Sequence, residues 1–376
     1  MNIIDRTSYA VKHAEVYLPK EFHTAWDNPK LVRLMGNELT FSPSQEIRQA
    51  ILSVTDKLNY YPEDIATNEK IREKIAEYVG KPMTSANITI GNGSIELIDL
   101  VYKTFLCPGD EVLVPTPEYS LYFKYPPLYG AKVIDVLPDK DDFNYSTESF
   151  LKLITDKTKL IVASNPNNPV GTLLSRDTVQ RLCETEKLIL IDEAYIEFSN
   201  TSLYDLISTY PNLIILRTLS KAIGLAGIRF GYCLANPEII EYMNRVRLIM
   251  NSSVIAQAVA MVALNHRDYI QETIKKIIEN RNYLNSELQN IPEFKVYPSH
   301  ANYVLIGCAK TGITATEFFE KLLQRGYLIR RFAKSRGFPG DEHFRISIGT
   351  SDEMKGVIRE IHSILQEKAV ASISTV

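Results

Sequence analysis

From residue 34 to about residue 234 the chain alternates short, unbroken runs of Val, Ile and Leu with stretches of helical periodicity, and this constrains the fold more than any other feature. Runs such as Leu-Ile-Leu-Ile at 188–191 and Leu-Ile-Ile-Leu-Arg at 213–217 have no polar face. A strand of that kind must be covered on both sides, which is the condition of a parallel sheet wrapped in helices. The clearest strands are 88–90, 111–114, 132–136, 160–163, 188–191, 213–217 and 230–234. Helical patterns lie between them, as at 95–105, where Leu97, Ile98, Val101, Tyr102 and Phe105 share a face.

Past Asn251 the texture changes. A long helical stretch, 254–291, leads to a smaller α+β region with strands near 302–306 and 344–348. A closing helix opens at Thr350-Ser351-Asp352-Glu353, a capping-box spacing, and keeps Val357, Ile358, Ile361, Ile364 and Leu365 on one face. The expected organisation is an N-terminal arm with a short amphipathic piece (1–33), a large α/β domain (34–265) and a small C-terminal α+β domain (266–376), the arm packing near the small domain and the active site.

Composition narrows the function classes. Lys plus Arg number 42 against 45 Asp plus Glu, a net charge of −3, so no basic field exists to attract nucleic acid or an anionic membrane. No apolar run approaches the roughly 18 residues of a membrane span, and the first residues carry charge where a signal peptide needs apolar ones. The four cysteines (Cys107, Cys183, Cys233, Cys308) are scattered, the histidines number six, and no HExxH occurs, so no metal site is expected. The reading is a reduced, cytoplasmic protein.

Several segments at strand ends have chemical potential. Gly91-Asn92-Gly93-Ser94 joins a strand to a helix, and such a turn offers free N–H groups to a phosphate; alone, it is equally an ordinary βα turn. The third glycine of a dinucleotide fingerprint is replaced by Glu96. Asp192 and Glu193 end a buried strand at the edge where α/β proteins bind ligands. They also resemble the acidic strand of a P-loop ATPase, but no GxxxxGK[ST] accompanies them. Arg217-Thr218-Leu219-Ser220-Lys221, with Gly224, Gly227 and Arg229, follows another strand. A partly buried lysine there loses its proton readily, as Schiff-base chemistry requires; a solvated loop lysine is the plainer alternative. Ser164-Asn165-Pro166-Asn167-Asn168-Pro169-Val170-Gly171 is a rigid loop that could present Asn168 to a ligand or simply satisfy its own turns. Tyr119, in Pro117-Glu118-Tyr119-Ser120-Leu121-Tyr122, could stack on a planar ligand or serve the core. Arg345 lies within a strand and Arg330 in the same small region; each suits a carboxylate or phosphate, or else the surface.

In their order along the chain, GNGSIEL, SNPNNPVG, DEAYIEF and RTLSKAIGLAGIRFGY resemble the fold-type I, pyridoxal-phosphate (PLP) aminotransferases of classes I and II, and among them the histidinol-phosphate aminotransferase subgroup, over residues 34–349. The resemblance implies a large domain with a mainly parallel seven-stranded sheet, a smaller α+β domain, and a homodimer with shared active sites. It implies that Lys221 holds PLP and moves a proton, that Asp192 pairs with the pyridine nitrogen, and that Tyr119 stacks on the ring. Asn168 and Tyr195 would bond the phenolic oxygen. Gly93, Ser94 and Ile95, with Thr218, Ser220 and Arg229, would hold the phosphate, and Tyr61 would reach the phosphate of the partner subunit. Arg345, Arg330, Asn37 and Asn168 would face the substrates, an amino donor and a 2-oxo acid. The segment Asn37-Glu38-Leu39-Thr40 departs from the subgroup's Asn-Glu-Asn-Pro, Ile95 and Val170 replace its usual acid and threonine, and the arm with Tyr17-Leu18-Pro19 and His23 differs. An amino-acid oxidase or decarboxylase on the same scaffold therefore stands as the alternative.

Overall fold

The computed structural model describes residues 3–12, 14, 20–139 and 142–373; Tyr17-Leu18-Pro19 lies outside them. The apolar runs become β2 to β8 of the twelve strands among the described residues: β1 (Val32–Leu34), β2 (Ile88–Gly91), β3 (Glu111–Pro115), β4 (Lys132–Val136), β5 (Thr158–Ser164), β6 (Leu188–Asp192), β7 (Leu213–Thr218), β8 (Gly231–Ala235), β9 (Lys295–Val296), β10 (Tyr303–Gly307), β11 (Tyr327–Phe332) and β12 (His343–Ser347). The large sheet has the order β2-β8-β7-β6-β5-β3-β4. Its neighbours pair in parallel except at β8, which is antiparallel to both β2 and β7.

Alternation of side chains sends each run to two cores, which explains why no polar face survives. Ile189, Ile191, Leu213 and Ile215 pack on one side of the sheet. Leu190, Ile214 and Leu216 pack on the other, against Leu97, Ile98 and Val101 of the helix Gly93–Phe105. The first cluster runs on without a break into the small sheet through Tyr303, Val304, Phe344 and Ile346. That sheet has the order β1-β11-β12-β10-β9, with β1 parallel to β11 and the other pairs antiparallel.

Three features differ from expectation. The arm does not end as irregular chain: Val32–Leu34 is an edge strand of the small sheet, too short at three residues for a pattern to register. β11 was unforeseen because Arg330-Arg331 interrupts its apolar alternation. The stretch 254–291 is two helices, Val254–Ala263 and Arg267–Gln289. Between them the backbone tightens into i→i+3 bonds, Asn265 N–H to Val262 O (3.0 Å) and His266 N–H to Ala263 O (3.0 Å). Asn265 also turns its side-chain amide onto Met261 O (3.1 Å), a competition with the helix that short polar residues favour. The closing helix Ser351–Ile373 has its capping box: Thr350 N–H donates to Glu353 (2.6 Å) and Glu353 N–H to Thr350 Oγ1 (3.3 Å). No helix among the described residues is long and apolar enough to cross a membrane.

Candidate active site

β5, β6 and β7 end side by side at Ser164, Asp192 and Thr218. These C-terminal ends open into a cavity of about 490 Å³, closed on its far side by β11, β12 and the segment around Asn37. Adjacent parallel strands thus convert sequence motifs some 30 residues apart into neighbours.

Lys221 follows β7 and is half-buried in this cavity. Its ammonium donates to the carbonyls of Gly36 (3.0 Å) and Asn37 (3.2 Å) and lies 5.5 Å from the Tyr195 ring centre. Burial, and then the positive charge of Arg345, bring its pKa down to about 8. Asp192 is buried, with Oδ2 accepting from the Tyr122 hydroxyl (2.7 Å) and Oδ1 from Ala194 N–H (2.9 Å). Burial raises its pKa to about 6, although those two donors and Lys221 favour the carboxylate. Tyr119 sits edge-on to Tyr122, with ring centres 5.6 Å apart.

Tyr195 accepts the side-chain amides of Asn37 (3.0 Å) and Asn168 (3.4 Å) on its hydroxyl oxygen, and burial pushes its pKa up to about 12. Asn37, left-handed at φ 53°, is bound on every side: its N–H and Oδ1 both bond Ser347 Oγ at 2.9 Å, and its carbonyl accepts from Asn302 (3.1 Å). It lines the cavity, but its side chain orients Tyr195.

At the other strand end, the helix Gly93–Phe105 begins without a side-chain cap from Asn92. Gly93 has φ +74°, and a Cβ there would lie 2.6 Å from the Arg229 guanidinium. A Cβ on Gly231 would fall 2.5 Å from Ser94 N. Both glycines are therefore needed to bring β8, Arg229 and the helix N-terminus together. Arg229 is itself left-handed at φ 58°, ψ 60°, and strain at a non-glycine residue persists where surroundings enforce it. Thr218 Oγ1 bonds Ser220 Oγ (2.9 Å) and accepts from Ser220 N–H (3.1 Å). Uncapped helix N–H groups, two hydroxyls and a guanidinium form a cradle whose chemistry is that of a phosphate site. PLP, a planar ring carrying one phosphate, fits this donor set, with Asp192 and Tyr119 at the ring end.

In the small sheet Arg330 and Arg345 stand directly opposite one another across β11 and β12, and both line the cavity. Arg345 is buried in a central strand, donating to Asn168 Oδ1 (2.6 Å) and Met35 O (3.2 Å), with its guanidinium 4.7 Å from the Tyr303 ring centre. Arg330 is paired with Glu21 at 3.1 Å. Tyr61 is 87% exposed and does not line this cavity.

Two residues of the site were not singled out by sequence reasoning. Glu118 is buried, and its carboxylate accepts Tyr119 N–H (2.9 Å), Ser164 N–H (2.9 Å), Asn167 Nδ2 (3.0 Å) and the Ser164 hydroxyl. Burial raises its pKa to about 8. Nothing distinguishes it in sequence from a surface glutamate. Tyr122 was legible only as one ring of an aromatic cluster, although its spacing of three from Tyr119 suits one helical turn. Glu193, neighbour of Asp192, turns away to a buried ion pair with Arg217 (2.9 Å).

Residues 29–361 match the family model described as aminotransferase class I and II. This chain belongs to that family. It is 35% identical over 364 residues to a histidinol-phosphate aminotransferase of Methanothermobacter thermautotrophicus, covering 95% of this chain and 96% of that one. A histidinol-phosphate aminotransferase of Methanocaldococcus jannaschii is 37% identical over 341 residues, 89% of each chain. Among solved structures, the histidinol-phosphate aminotransferase of Sinorhizobium meliloti in complex with pyridoxal-5'-phosphate superposes with a TM-score of 0.85 at 25% identity, covering 96% of this chain and 98% of that one. The expected fold type I architecture and aminotransferase activity stand. The oxidase and decarboxylase alternative is not favoured.

Proposed function

We propose that this PLP-dependent aminotransferase takes its amino group from histidinol phosphate or a similar anionic donor and exchanges it with a 2-oxo acid. The observation that carries this reading is the pair of arginines, Arg330 and Arg345, facing one another on the wall opposite Lys221 and Asp192. A guanidinium is the group best matched to phosphate and carboxylate.

Bound covalently to Lys221, PLP supplies the electron sink that lets an α-C–H ionise. The chain's own groups set the conditions. With its pKa near 8, Lys221 spends part of its time at neutral pH as the free amine, able to attack a carbonyl and later to carry a proton. Tyr122 and Ala194 N–H hold the Asp192 carboxylate in one orientation, so that it keeps a proton on a ring nitrogen. With both asparagine amides on its oxygen, Tyr195 has its own proton left to give to a ligand oxygen. Gly93, Ser94, Ile95, Thr218, Ser220 and Arg229 hold the phosphate, and Tyr119 covers the ring. Arg345 grips the substrate carboxylate or phosphate, Arg330 is a second anion-binding arginine beside it that shares the phosphate, and Asn168 links Arg345 to Tyr195.

The enzyme acts as a cytoplasmic homodimer with residues 1–33, 34–265 and 266–376 as arm, large and small domains, except that the strand Val32–Leu34 belongs to the small domain's sheet. Support for the dimer comes from Tyr60, Tyr61, Leu248 and Ile249, each at least 67% exposed on the single chain. Tyr61 reaches the partner's phosphate.

The test is an anaerobic spectroscopic titration of PLP-loaded protein with histidinol phosphate, glutamate and arginine in turn. Stoichiometric loss of the cofactor's visible band with histidinol phosphate, restored by a 2-oxo acid, is expected. A change that reverses only when oxygen is admitted would assign an oxidase instead.

A further inference from the structure

Glu21 lies in the helix Lys20–Asp27, part of the N-terminal arm. Phe22 and Ala25 anchor that helix beside Met35 and Leu328 of the small-sheet region, and Phe22 also lines the cavity. The helix thereby delivers a carboxylate to Arg330 at 3.1 Å, with Glu21 23% and Arg330 31% exposed. Arg330 in turn faces Arg345 in register, and like charges directly opposite on neighbouring strands repel. The Glu21 carboxylate offsets that repulsion.

We propose that Glu21 is a specificity-determining residue, an internal competitor that occupies Arg330 until an anionic end of the substrate displaces it. The inference rests on the reading of Arg330 as an anion-binding residue given above. A donor whose far end is phosphate or carboxylate must exchange places with the Glu21 carboxylate, and its gain is only the difference between the two ion pairs. A donor with an uncharged far end leaves the pair intact. The arm therefore weakens every anionic-tailed ligand by the stability of one partly exposed ion pair, while amino acids without such a tail are unaffected. The penalty is the same for every anionic tail, so the selection it sets is between charged and uncharged far ends; a phosphate monoester, with about twice the charge of a carboxylate, has the most binding energy left after it.

The experiment compares wild type, Glu21→Gln and Glu21→Gln/Arg330→Ala as PLP-loaded enzymes. Calorimetric titration with inorganic phosphate is expected to give about two- to fivefold tighter binding to Glu21→Gln, the upper range of a partly exposed ion pair, and loss of that gain in the double variant. With histidinol phosphate, kcat/KM should rise by the same factor through KM. With alanine, which has no distal anion, it should change less than about twofold. Equal or weaker phosphate binding to Glu21→Gln overturns the proposal, as does an equal change for alanine, which would make the helix a general structural element. If phosphate binds Glu21→Gln more tightly but neither enzyme turns over histidinol phosphate, the donor assignment fails and the competitor role stands. If histidinol phosphate is turned over and neither binding nor KM moves, the reverse holds.

Discussion

At the sheet end of the cavity, Asp192 and Glu118 are buried and held by hydroxyl and amide donors from the same sheet edge, whereas at the small-sheet end Arg330 is partly exposed and meets Glu21, more than 300 residues away in sequence. The first end is assembled by consecutive parallel strands, each presenting its last residue. The second is assembled by segments from both termini that meet only in the tertiary fold. A rigid, desolvated end suits chemistry common to every substrate, and an exposed, exchangeable ion pair suits selection among them.

The largest effect should come from breaking the sheet end. Lys221→Ala is expected to lower kcat by about 10³-fold or more, since no other amine lines the cavity among the described residues. The folded variant should also give no borohydride-fixed cofactor adduct. Retention of that adduct would remove Lys221 from its role and with it the contrast between the ends.

Breaking the other end should behave differently. Arg345→Ala deletes a guanidinium that donates to Asn168 Oδ1 at 2.6 Å. We expect kcat/KM for anionic donors to fall about 10²-fold, the worth of a well-made charged hydrogen bond, mainly through KM. PLP affinity, measured by spectroscopic titration, should stay within a few fold. A parallel loss of PLP would show that the two ends are one unit, coupled through Asn168 and Tyr195.

This asymmetry also decides what the sequence discloses. Lys221, Asp192 and Asn168 were legible because each follows an unmistakable apolar strand, and sheet geometry does the rest. Strands β2 to β8 were read to within about two residues for the same reason. Glu118 was not, because its role depends on Ser164 and Asn167, contacts that no local pattern encodes. Glu21 and β1 were hidden for a related reason: a three-residue strand and a carboxylate on an eight-residue helix acquire meaning only against β11. The expected role for Arg345 came from a charge inside an apolar strand, a local conflict of the sort that marks function.

Glu118 offers a finer test of the rigid end. Each of its oxygens accepts at least one N–H, Oε1 from Tyr119 and Oε2 from Ser164 and Asn167, so an amide cannot replace it without facing N–H against N–H. Glu118→Gln should lower Tm by about 2–4 °C, the cost of a buried unsatisfied donor spread over a chain of this size. Because the carboxylate ties Tyr119 to the loop bearing Asn168, kcat should fall about tenfold with KM for the anionic donor little changed. A drop in Tm with normal kcat would reduce Glu118 to a purely structural part.

The smallest expected effect isolates the desolvation at Lys221 itself. In the cofactor-free fold its pKa is about 8, against 10.5 for an unhindered lysine. Between those values the unfolded chain binds more protons at this position than the folded one, so folding gains stability as pH rises through that window. Below pH 8 the buried ammonium penalises the fold in full, and above 10.5 the penalty is gone. Lys221→Met does not titrate there. Its Tm advantage over wild type, both freed of PLP, should therefore be greatest below pH 8, on the order of 1–2 °C, and shrink steadily from pH 8 toward pH 10.5. The slope is diagnostic because Asp192, whose own pKa is about 6, is ionised throughout this range in wild type. A difference that is flat with pH would mean that Lys221 is solvated as an ordinary lysine, and the sheet end would then be no drier than the end that carries Arg330.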